Sequence, residues 1–147
     1  MIAAGGKDKV AIIFKRVNGE YMVSQRIWTG FNIFEVFITH QSLAVAGHSN
    51  KILFFTHNGS EFVREQTLVT NETKIQDIGL TDDFEKITFG RTNQTLNIFT
   101  RVNSTYQKQF SFDLGVEIRS AWMDEGGLYY HAITMDQRMY TFYQCPA

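Results

Sequence analysis

The sequence contains one cysteine, one proline, no long apolar run and almost no net charge. Because Cys145 has no second cysteine to pair with, an internal disulfide and a metal site built from several cysteines are excluded. A single thiol also fits a reducing compartment, and we expect a cytoplasmic protein. Pro146 follows the last apolar segment, so no interior strand would lose a backbone hydrogen bond to proline.

The charge balance and the lack of long apolar runs argue against two classes of partner. Fourteen basic and fifteen acidic side chains give a formal net charge of -1, which leaves no overall field to attract phosphate backbones or anionic membranes. No apolar run approaches the roughly 20 residues that span a bilayer, and the first residues lack the order of a secretion signal. We therefore expect a soluble chain with no nucleic acid partner and no membrane.

The apolar segments that are present are short and rich in Val, Ile, Phe and Tyr, and Gly, Asn, Asp or Ser separates them. This pattern is typical of β-strands joined by hairpins, and no segment has the pattern of a helix. Asn-Gly at Asn18 and Asn58 is a strong hairpin signal, because both residues accept positive φ angles, and Asn103 opens a similar Asn-Ser turn. Strands are predicted near residues 2–5, 10–15, 21–27, 33–39, 43–47, 52–57, 61–68, 75–80, 86–90, 96–101, 106–112, 118–123, 128–133 and 138–143.

One type of segment occurs four times: a small or polar strand, a turn with Asp or Asn, and an aromatic-rich strand. The copies are MIAAGGKDKVAIIF, LAVAGHSNKILFFT, ITFGRTNQTLNIFT and LYYHAITMDQRMYTFY. Their turn residues Asp8, Asn50, Asn93 and Asp136 are 42, 43 and 43 positions apart, which is the period of a propeller blade of four short strands. We predict an all-β fold, a partial β-propeller of four-stranded antiparallel blades, as a single domain over residues 1–147.

The predicted blades cover approximately residues 1–28, 33–69, 75–113 and 118–145. With the strands of a blade named A to D from the central channel outward, the first blade lacks strand A and the last lacks strand D. About three and a half blades are fewer than the four to eight with which propellers close. We expect the remainder of a longer chain or other protein chains to complete the ring, with a homodimer as the second possibility.

Residues 2–14 resemble the B-turn-C segment of WD40 repeats, in which a glycine pair precedes an Asp turn and a strand that ends in Trp-Asp. Gly5-Gly6 and Asp8 match this pattern, and Phe14-Lys15 keeps an aromatic residue but lacks the acid. Gly47-His48 lies at the B-C turn, whereas the Gly-His pair of the family precedes strand A. The resemblance is to a divergent WD40-like propeller, and another propeller type of similar blade length remains an alternative.

Resemblance to WD40 proteins implies a non-catalytic scaffold that binds other proteins through a face formed by the B-C turns and the D-A loops. Trp28 and Phe31 flank such a loop, where exposed aromatic rings would anchor a partner, whereas packing between blades is the more common use of such residues. We expect a few aromatic or Arg anchors, rather than total charge, to supply the affinity. The candidate contact residues are Lys7, Asp8, Trp28, Phe31, His48, Asn50, Arg91, Asn93, Asp136 and Gln137.

A propeller enzyme of the hydrolase or lactonase type is the first alternative function. Its active site would lie in the central channel and would use the acidic and His residues near strand A, namely Glu35, His40, Asp77 and Glu117. The histidines of the chain lie in different blades without metal-ligand spacing, and no phosphate-binding loop is found. We therefore expect no catalysis, no metal and no cofactor.

A sugar-binding propeller assembled from short chains is the second alternative function. Such a protein would repeat Trp and polar residues at equivalent sites of its blades. Trp28 and Trp122 do not occupy equivalent sites in the repeat. The sequence therefore favours the scaffold over the sugar-binding protein.

Overall fold

A computed structural model describes residues 1–90 and 93–145, and within these ranges it contains strands and turns but no helix. It accordingly has no helix there that is long and apolar enough to cross a membrane. The strands are β1 (Ile2–Ala4), β2 (Val10–Val17), β3 (Glu20–Trp28), β4 (Ile33–Ile38), β5 (Ser42–Gly47), β6 (Lys51–His57), β7 (Phe62–Val69), β8 (Ile78–Leu80), β9 (Lys86–Phe89), β10 (Thr95–Val102), β11 (Thr105–Asp113), β12 (Ile118–Met123), β13 (Tyr129–Thr134) and β14 (Met139–Tyr143).

The strands form four antiparallel sheets in which neighbours in sequence are neighbours in space. Their orders are β1-β2-β3, β4-β5-β6-β7, β8-β9-β10-β11 and β12-β13-β14. The first and the last of these sheets have three strands, and the other two have four. The chain divides into two compact units, Met1–Thr70 and a second unit that begins at Asn71. The extent of the single predicted domain stays a prediction.

The predicted strand at residues 75–80 was wrong in its first half, because β8 begins only at Ile78. The partner strand β9 has four residues, and its last residue, Phe89, pairs with Ile78. Residues before Ile78 therefore have no ladder partner in β9. Ile75 is fully buried all the same, and its apolar side chain produced the strand signal in the sequence.

In the first unit the sheet β1-β2-β3 packs on the sheet β4-β5-β6-β7. Alternate residues of β2, Ala11 and Ile13, face this core and are fully buried. Burial of one such aliphatic side chain stabilises the fold by roughly 1.5–3 kcal/mol. The remaining buried members of the core are Ile27, Phe31, Ile33, Leu43, Val45, Leu53, Phe55 and Phe62.

In the second unit a core forms between the sheets β8-β9-β10-β11 and β12-β13-β14. Its buried members are Leu96, Ile98, Ile118, Ala121, Tyr130 and Ala132. The two sheets approach closely at their first strands, where a Cβ on Gly79 would lie 2.6 Å from the Cα of Trp122. Glycine is required there because any side chain would meet the backbone of β12.

The predicted hairpins are present in all three places, and two of them have two-residue turns. Asn18 and Gly19 have φ angles of 51° and 91°, and Asn103 and Ser104 have φ angles of 49° and 63°, as a two-residue hairpin of type I′ requires. The loop after β6 is longer. There the side-chain oxygen of Asn58 accepts hydrogen bonds from the backbone N–H groups of residues 60 and 61, both at 3.1 Å.

The outermost strands β3, β7 and β11 each carry a β-bulge at the same place. The extra residues are Ser24, Glu65 and Gln109, as the register shifts against β2, β6 and β10 show. Two of them accept a side-chain hydrogen bond from the neighbouring strand, from Thr56 to Glu65 at 2.6 Å and from Thr100 to Gln109 at 2.8 Å. Because the bulge lies at the same place in each of these strands, corresponding residues of the three sheets can be identified by counting from it.

Candidate interaction surfaces

Three turns of the first unit are hydrogen-bonded to one another at one end of its sheets. The carbonyl of Gly6, in the β1-β2 turn, accepts from the backbone N–H of Ile33 at 3.0 Å. The carbonyl of Asn32, in the β3-β4 loop, accepts from the N–H of His48 at 2.8 Å. These bonds place the turns that carry most of the predicted contact residues of this unit side by side. We call Lys7, Asp8, Trp28, His48 and Asn50 the first turn surface.

The aromatic candidates of the first turn surface have different environments. Trp28 is 63% exposed, and the exposed His48 ring stacks on Phe34 with centroids 6.2 Å apart. Phe31, a candidate anchor for which packing between blades was the alternative, is only 9% exposed and belongs to the core of the unit. Thr29 in the same loop donates its hydroxyl to the Phe31 carbonyl at 3.0 Å.

Most of the polar turn residues of the repeat accept hydrogen bonds from groups in the same turn. Asp8 accepts from the backbone N–H of Val10 at 3.4 Å, and Asn93 accepts from that of Thr95 at 3.1 Å. In the β5-β6 turn Ser49, rather than Asn50, has this role, and its hydroxyl accepts from the N–H of residue 51 at 3.2 Å. These are Asx-type turns, in which a short polar side chain satisfies the backbone two residues later.

In the second unit the equivalent turns are also linked by backbone hydrogen bonds. The carbonyl of Gln94 accepts from the N–H of Leu114 at 2.9 Å, and that of Glu117 accepts from Met135 at 2.8 Å. Asn93, Asp136 and Gln137 are exposed here. We call these three residues the second turn surface. The remaining candidate of this unit, Arg91, lies outside the described residues.

Asp136 is held as a carboxylate by its own turn. The Thr134 hydroxyl donates to it and is the first cause of a lowered pKa of Asp136, and the positive charge of Arg138 adds to this. The Arg138 guanidinium lies 3.2 Å from the carboxylate. Both partners are solvent-exposed, so this ion pair contributes little to stability. The Asp136 carboxylate already accepts a hydrogen bond within its own turn, which leaves fewer acceptor sites for a partner.

The residues proposed for an enzyme site lie in different elements of the two units. Glu35 lies inside β4, whereas His40 lies in the turn after it. Asp77 accepts a hydrogen bond from the Ser120 hydroxyl, and the Glu117 carbonyl serves the turn described above. Among residues 1–90 and 93–145, no group of three or more His, Cys, Asp or Glu side chains could hold a metal ion.

The first sheet has an apolar face turned away from the core of its unit, which we call the first outer face. Its apolar members are Ile2, Ala4, Val10, Ile12, Phe14, Val23 and Trp28, on the side opposite Ala11 and Ile13, and the exposed Arg26 lies opposite Ile12 on the same face. Ile2 and Val23 are 46% and 45% exposed. A strand that is apolar on both sides, as β2 is at residues 10–14, is typical of a sheet covered on both faces.

The last sheet has a similar face, the last outer face, formed by Trp122, Tyr129, His131, Ile133, Met139 and Tyr143. Trp122 stacks on His131 with centroids 5.2 Å apart, and Tyr129 lies 4.9 Å from Tyr143. Met139 and Tyr143 are 63% and 51% exposed. The contact residues predicted from the sequence included none of this face. Its signal was the aromatic content of both β13 and β14.

Acid should destabilise the second unit through Asp124, in the turn between β12 and β13. Its carboxylate accepts from the backbone N–H groups of Tyr129 at 2.6 Å and Leu128 at 2.8 Å, and these bonds, that to Tyr129 first, lower the pKa of Asp124 below 3.8. Because the folded pKa is the lower one, the stabilisation is present above the unfolded pKa and is lost as the pH falls through the folded pKa.

Asp124→Asn is therefore expected to reduce the free energy of unfolding at pH 7, and the difference from the wild type should shrink towards about pH 2. Urea denaturation at several pH values measures this. Glu125→Gln, at the exposed neighbouring position, is the control and should leave the profile unchanged. A constant difference at all pH values would contradict the assigned role of the carboxylate.

Comparison with known proteins gives a structural likeness. No protein-family model matches the chain, and no curated protein matches it. One chain of the crystal structure of the Mitotic Checkpoint Complex matches with a TM-score of 0.78 and 15% sequence identity. The match covers 98% of this chain and 45% of that chain, so this chain spans less than half of its structural neighbour. At this identity the likeness shows the fold alone, and the fold is all-β, of the partial β-propeller class.

Proposed function

We propose that the chain is a WD40-like propeller segment that serves as a non-catalytic protein-interaction module within a larger chain or assembly. The observation that carries this proposal is the exposure of large apolar side chains on both the first and the last outer face. Contiguous exposed apolar surface is typical of protein interaction sites. In a propeller, sheet faces of this kind are covered by the next blade.

Trp28 connects the first outer face with the first turn surface, because it lies at the end of β3 beside the β3-β4 loop. It pairs with Val10 across the strands. A largely exposed Trp flanked by polar turn residues such as Lys7 and Asp8 has the chemistry of an interface anchor with a polar rim. We therefore propose that a partner protein contacts the turn surface around Trp28.

The coverage of the structural neighbour supports a role inside a larger body. This chain matches 45% of a chain that comes from a protein complex, and we propose that further blades, from the same or another polypeptide, lie against the outer faces. A homodimer is the second possibility. The proposal includes a cytoplasmic location, which the single exposed thiol of Cys145 supports, and includes neither a membrane nor nucleic acid as partner.

Charging the first outer face tests the proposal. The double variant Val23→Lys/Trp28→Lys places two positive charges on this face. The side chains of Val23 and Trp28 are exposed, so we expect the variant to fold as the wild type does. We expect the wild-type polypeptide to self-associate and to bind an apolar fluorescent dye, and the variant to bind roughly half as much dye or less. Proteins retained from a cell extract by the immobilised wild type should be retained at least about tenfold less by the variant, as loss of a hot-spot anchor predicts.

The matched control is Val63→Lys/Val69→Lys on β7. These side chains are 46% and 60% exposed but lie off both outer faces, so this variant should behave as the wild type does. A wild-type polypeptide that is a monodisperse monomer, binds no dye and retains the same proteins as Val23→Lys/Trp28→Lys would refute the proposal.

A further inference from the structure

The loop between β6 and β7 places a histidine against the backbone of an Asn-Gly dipeptide. The N–H of Gly59 donates to Nδ1 of His57 at 3.1 Å. Because a backbone N–H can only donate, Nδ1 carries a lone pair that points at this hydrogen. The ring is therefore placed as a base for the Gly59 nitrogen.

The side-chain amide of Asn58 is held at its oxygen by three donors. Oδ1 accepts from the Ser60 N–H at 3.1 Å, from the Ser60 hydroxyl at 2.9 Å and from the Glu61 N–H at 3.1 Å. Two of these donors are main-chain N–H groups, which identifies the accepting atom as the oxygen and not the amide nitrogen. Donors aimed at a carbonyl oxygen stabilise the negative charge that develops there when a nucleophile attacks its carbon.

The His57 ring is itself held in position by two contacts. Phe62 packs against it edge to face, with ring centroids 5.0 Å apart. Its Nε2 lies 3.5 Å from Nζ of Lys15 on β2, and the same ammonium donates to the Ser60 carbonyl at 3.3 Å. A base that further groups orient beside a nucleophile is typical of sites of nucleophilic attack on a carbonyl carbon.

We propose that Asn58-Gly59 is a self-modifying site, at which the Gly59 nitrogen attacks the side-chain amide of Asn58 and forms a succinimide. His57 acts as the general base, and the three donors to Oδ1 stabilise the tetrahedral intermediate. The loop is exposed, so water reaches the product. The modification needs neither an enzyme nor a partner protein, and it goes beyond the proposed function without resting on it.

The reaction closes a five-membered ring and releases ammonia. The proton of the Gly59 N–H passes to Nδ1 of His57, and the electron pair of the nitrogen forms a bond to Cγ of Asn58 while the C=O π electrons move onto Oδ1. When the C=O bond re-forms, the bond from Cγ to Nδ2 breaks, and Nδ2 takes the proton from His57 and leaves as ammonia. Water then opens the ring. Attack at Cγ gives aspartate, and attack at the main-chain carbonyl gives isoaspartate.

The chain contains the same dipeptide in a second hairpin, which lacks these groups. Asn18 and Gly19 form the exposed turn between β2 and β3. The Gly19 carbonyl accepts from Nε of Arg16 at 3.2 Å, but within residues 1–90 and 93–145 no histidine accepts from the Gly19 N–H and no donor reaches the Asn18 side-chain oxygen. Glycine leaves its nitrogen unshielded in both dipeptides. The surroundings alone therefore predict that Asn58 reacts faster than Asn18 in the folded chain.

The product differs from the parent chain in charge and in backbone length. Hydrolysis replaces a neutral amide by a carboxylate, and isoaspartate adds a methylene group to the main chain of the loop. The loop leads into Phe62, whose N–H and carbonyl are both bound at 2.8 Å by the side-chain amide of Gln25 on β3. Isoaspartate is therefore expected to loosen the contact between β3 and β7.

Incubation of the whole folded chain at pH 7, followed by proteolysis and mass spectrometry, tests the proposal. The succinimide peptide is lighter than its parent by one ammonia, and chromatography separates aspartate from isoaspartate. The amide of Asn58 should be lost at least about tenfold faster than that of Asn18. In concentrated urea, which removes the contacts of His57, the two rates should become similar.

Two variants separate the base from the donors. His57→Gln removes the base but keeps a side-chain oxygen that accepts hydrogen bonds, and it should slow the reaction at Asn58 at least about tenfold. Ser60→Ala removes one donor without touching the ring and should slow the reaction about threefold or more. The matched control is His48→Gln, in the turn at the other end of β6, and it should leave the rate unchanged. Circular dichroism establishes that each variant is folded.

Three results would overturn the proposal. A rate at Asn58 equal to or below that at Asn18 in the folded chain would show that the three hydrogen bonds protect the amide instead of activating it. A preference for Asn58 that persists in urea would assign it to local sequence and not to the fold. Equal rates in His57→Gln and His48→Gln, or no effect of Ser60→Ala, would remove the assigned roles of the base and the donors.

Discussion

Replacing Gly47 with alanine should reduce the free energy of unfolding of the first unit by about 3 kcal/mol or more. Gly47 ends β5 and is buried, and a Cβ there would lie 2.0 Å from the carbonyl oxygen of Asn32 and 3.0 Å from the Cα of Ile33. The Asn32 carbonyl is fixed because it accepts the His48 N–H at 2.8 Å. Both obstructing atoms belong to the backbone, so the strands themselves would have to separate.

Urea denaturation followed by circular dichroism measures this effect. Gly6→Ala is the matched control, because a Cβ at Gly6 would meet only the carboxylate of Asp8, at 3.6 Å, and the change should stay within about 0.5 kcal/mol. If the two variants lose the same stability, the close approach of the Asn32 carbonyl is not what requires glycine at position 47.

Tyr130→Ala should be nearly as damaging in the second unit, at about 3–5 kcal/mol. The Tyr130 side chain is 2% exposed and lies in the core between β10 and β12. Its hydroxyl lies 2.7 Å from the carbonyl of Gly127, to which it donates, and 2.8 Å from the side-chain oxygen of Gln144. Burial raises the pKa of Tyr130, so the phenol stays protonated and able to donate at neutral pH.

Tyr130→Phe separates the ring from the hydroxyl. It leaves the ring in place and removes one buried donor, so about 1–2 kcal/mol should be lost. Tyr129→Ala, at the exposed neighbouring position on the opposite side of the strand, should cost less than about 1 kcal/mol. Equal losses for Tyr130→Ala and Tyr130→Phe would show that the hydroxyl, and not the packing of the ring, stabilises this core.

The order of the strands could be predicted from the sequence because it depends on turn residues and on the alternation of apolar residues along each strand. The Asn18-Gly19 turn and the alternation in β2 depend on neighbouring residues only, and both appear in the structure. The bulges at Ser24, Glu65 and Gln109 had no comparable signal. They arise from the register between two strands, and no residue type in the bulged strand specifies that register.

The contact surface was less predictable for a related reason. Aromatic residues in a loop look alike in sequence, whether they point outward, as Trp28 does, or inward, as Phe31 does. The direction depends on the packing against the neighbouring sheet, which places Phe31 in the core. Polar turn residues such as Asp8 and Asn93 satisfy nearby backbone N–H groups, and sequence alone does not separate that role from partner binding.

The bulges have a consequence for solubility. A bulge twists the free side of a sheet and interrupts its hydrogen-bonding pattern, which prevents further strands from adding and fibrils from growing. β3, β7 and β11 are protected in this way, whereas β14 pairs with β13 without any irregularity. In the isolated chain, β14 therefore lacks the protection against strand addition that the bulges give to β3, β7 and β11.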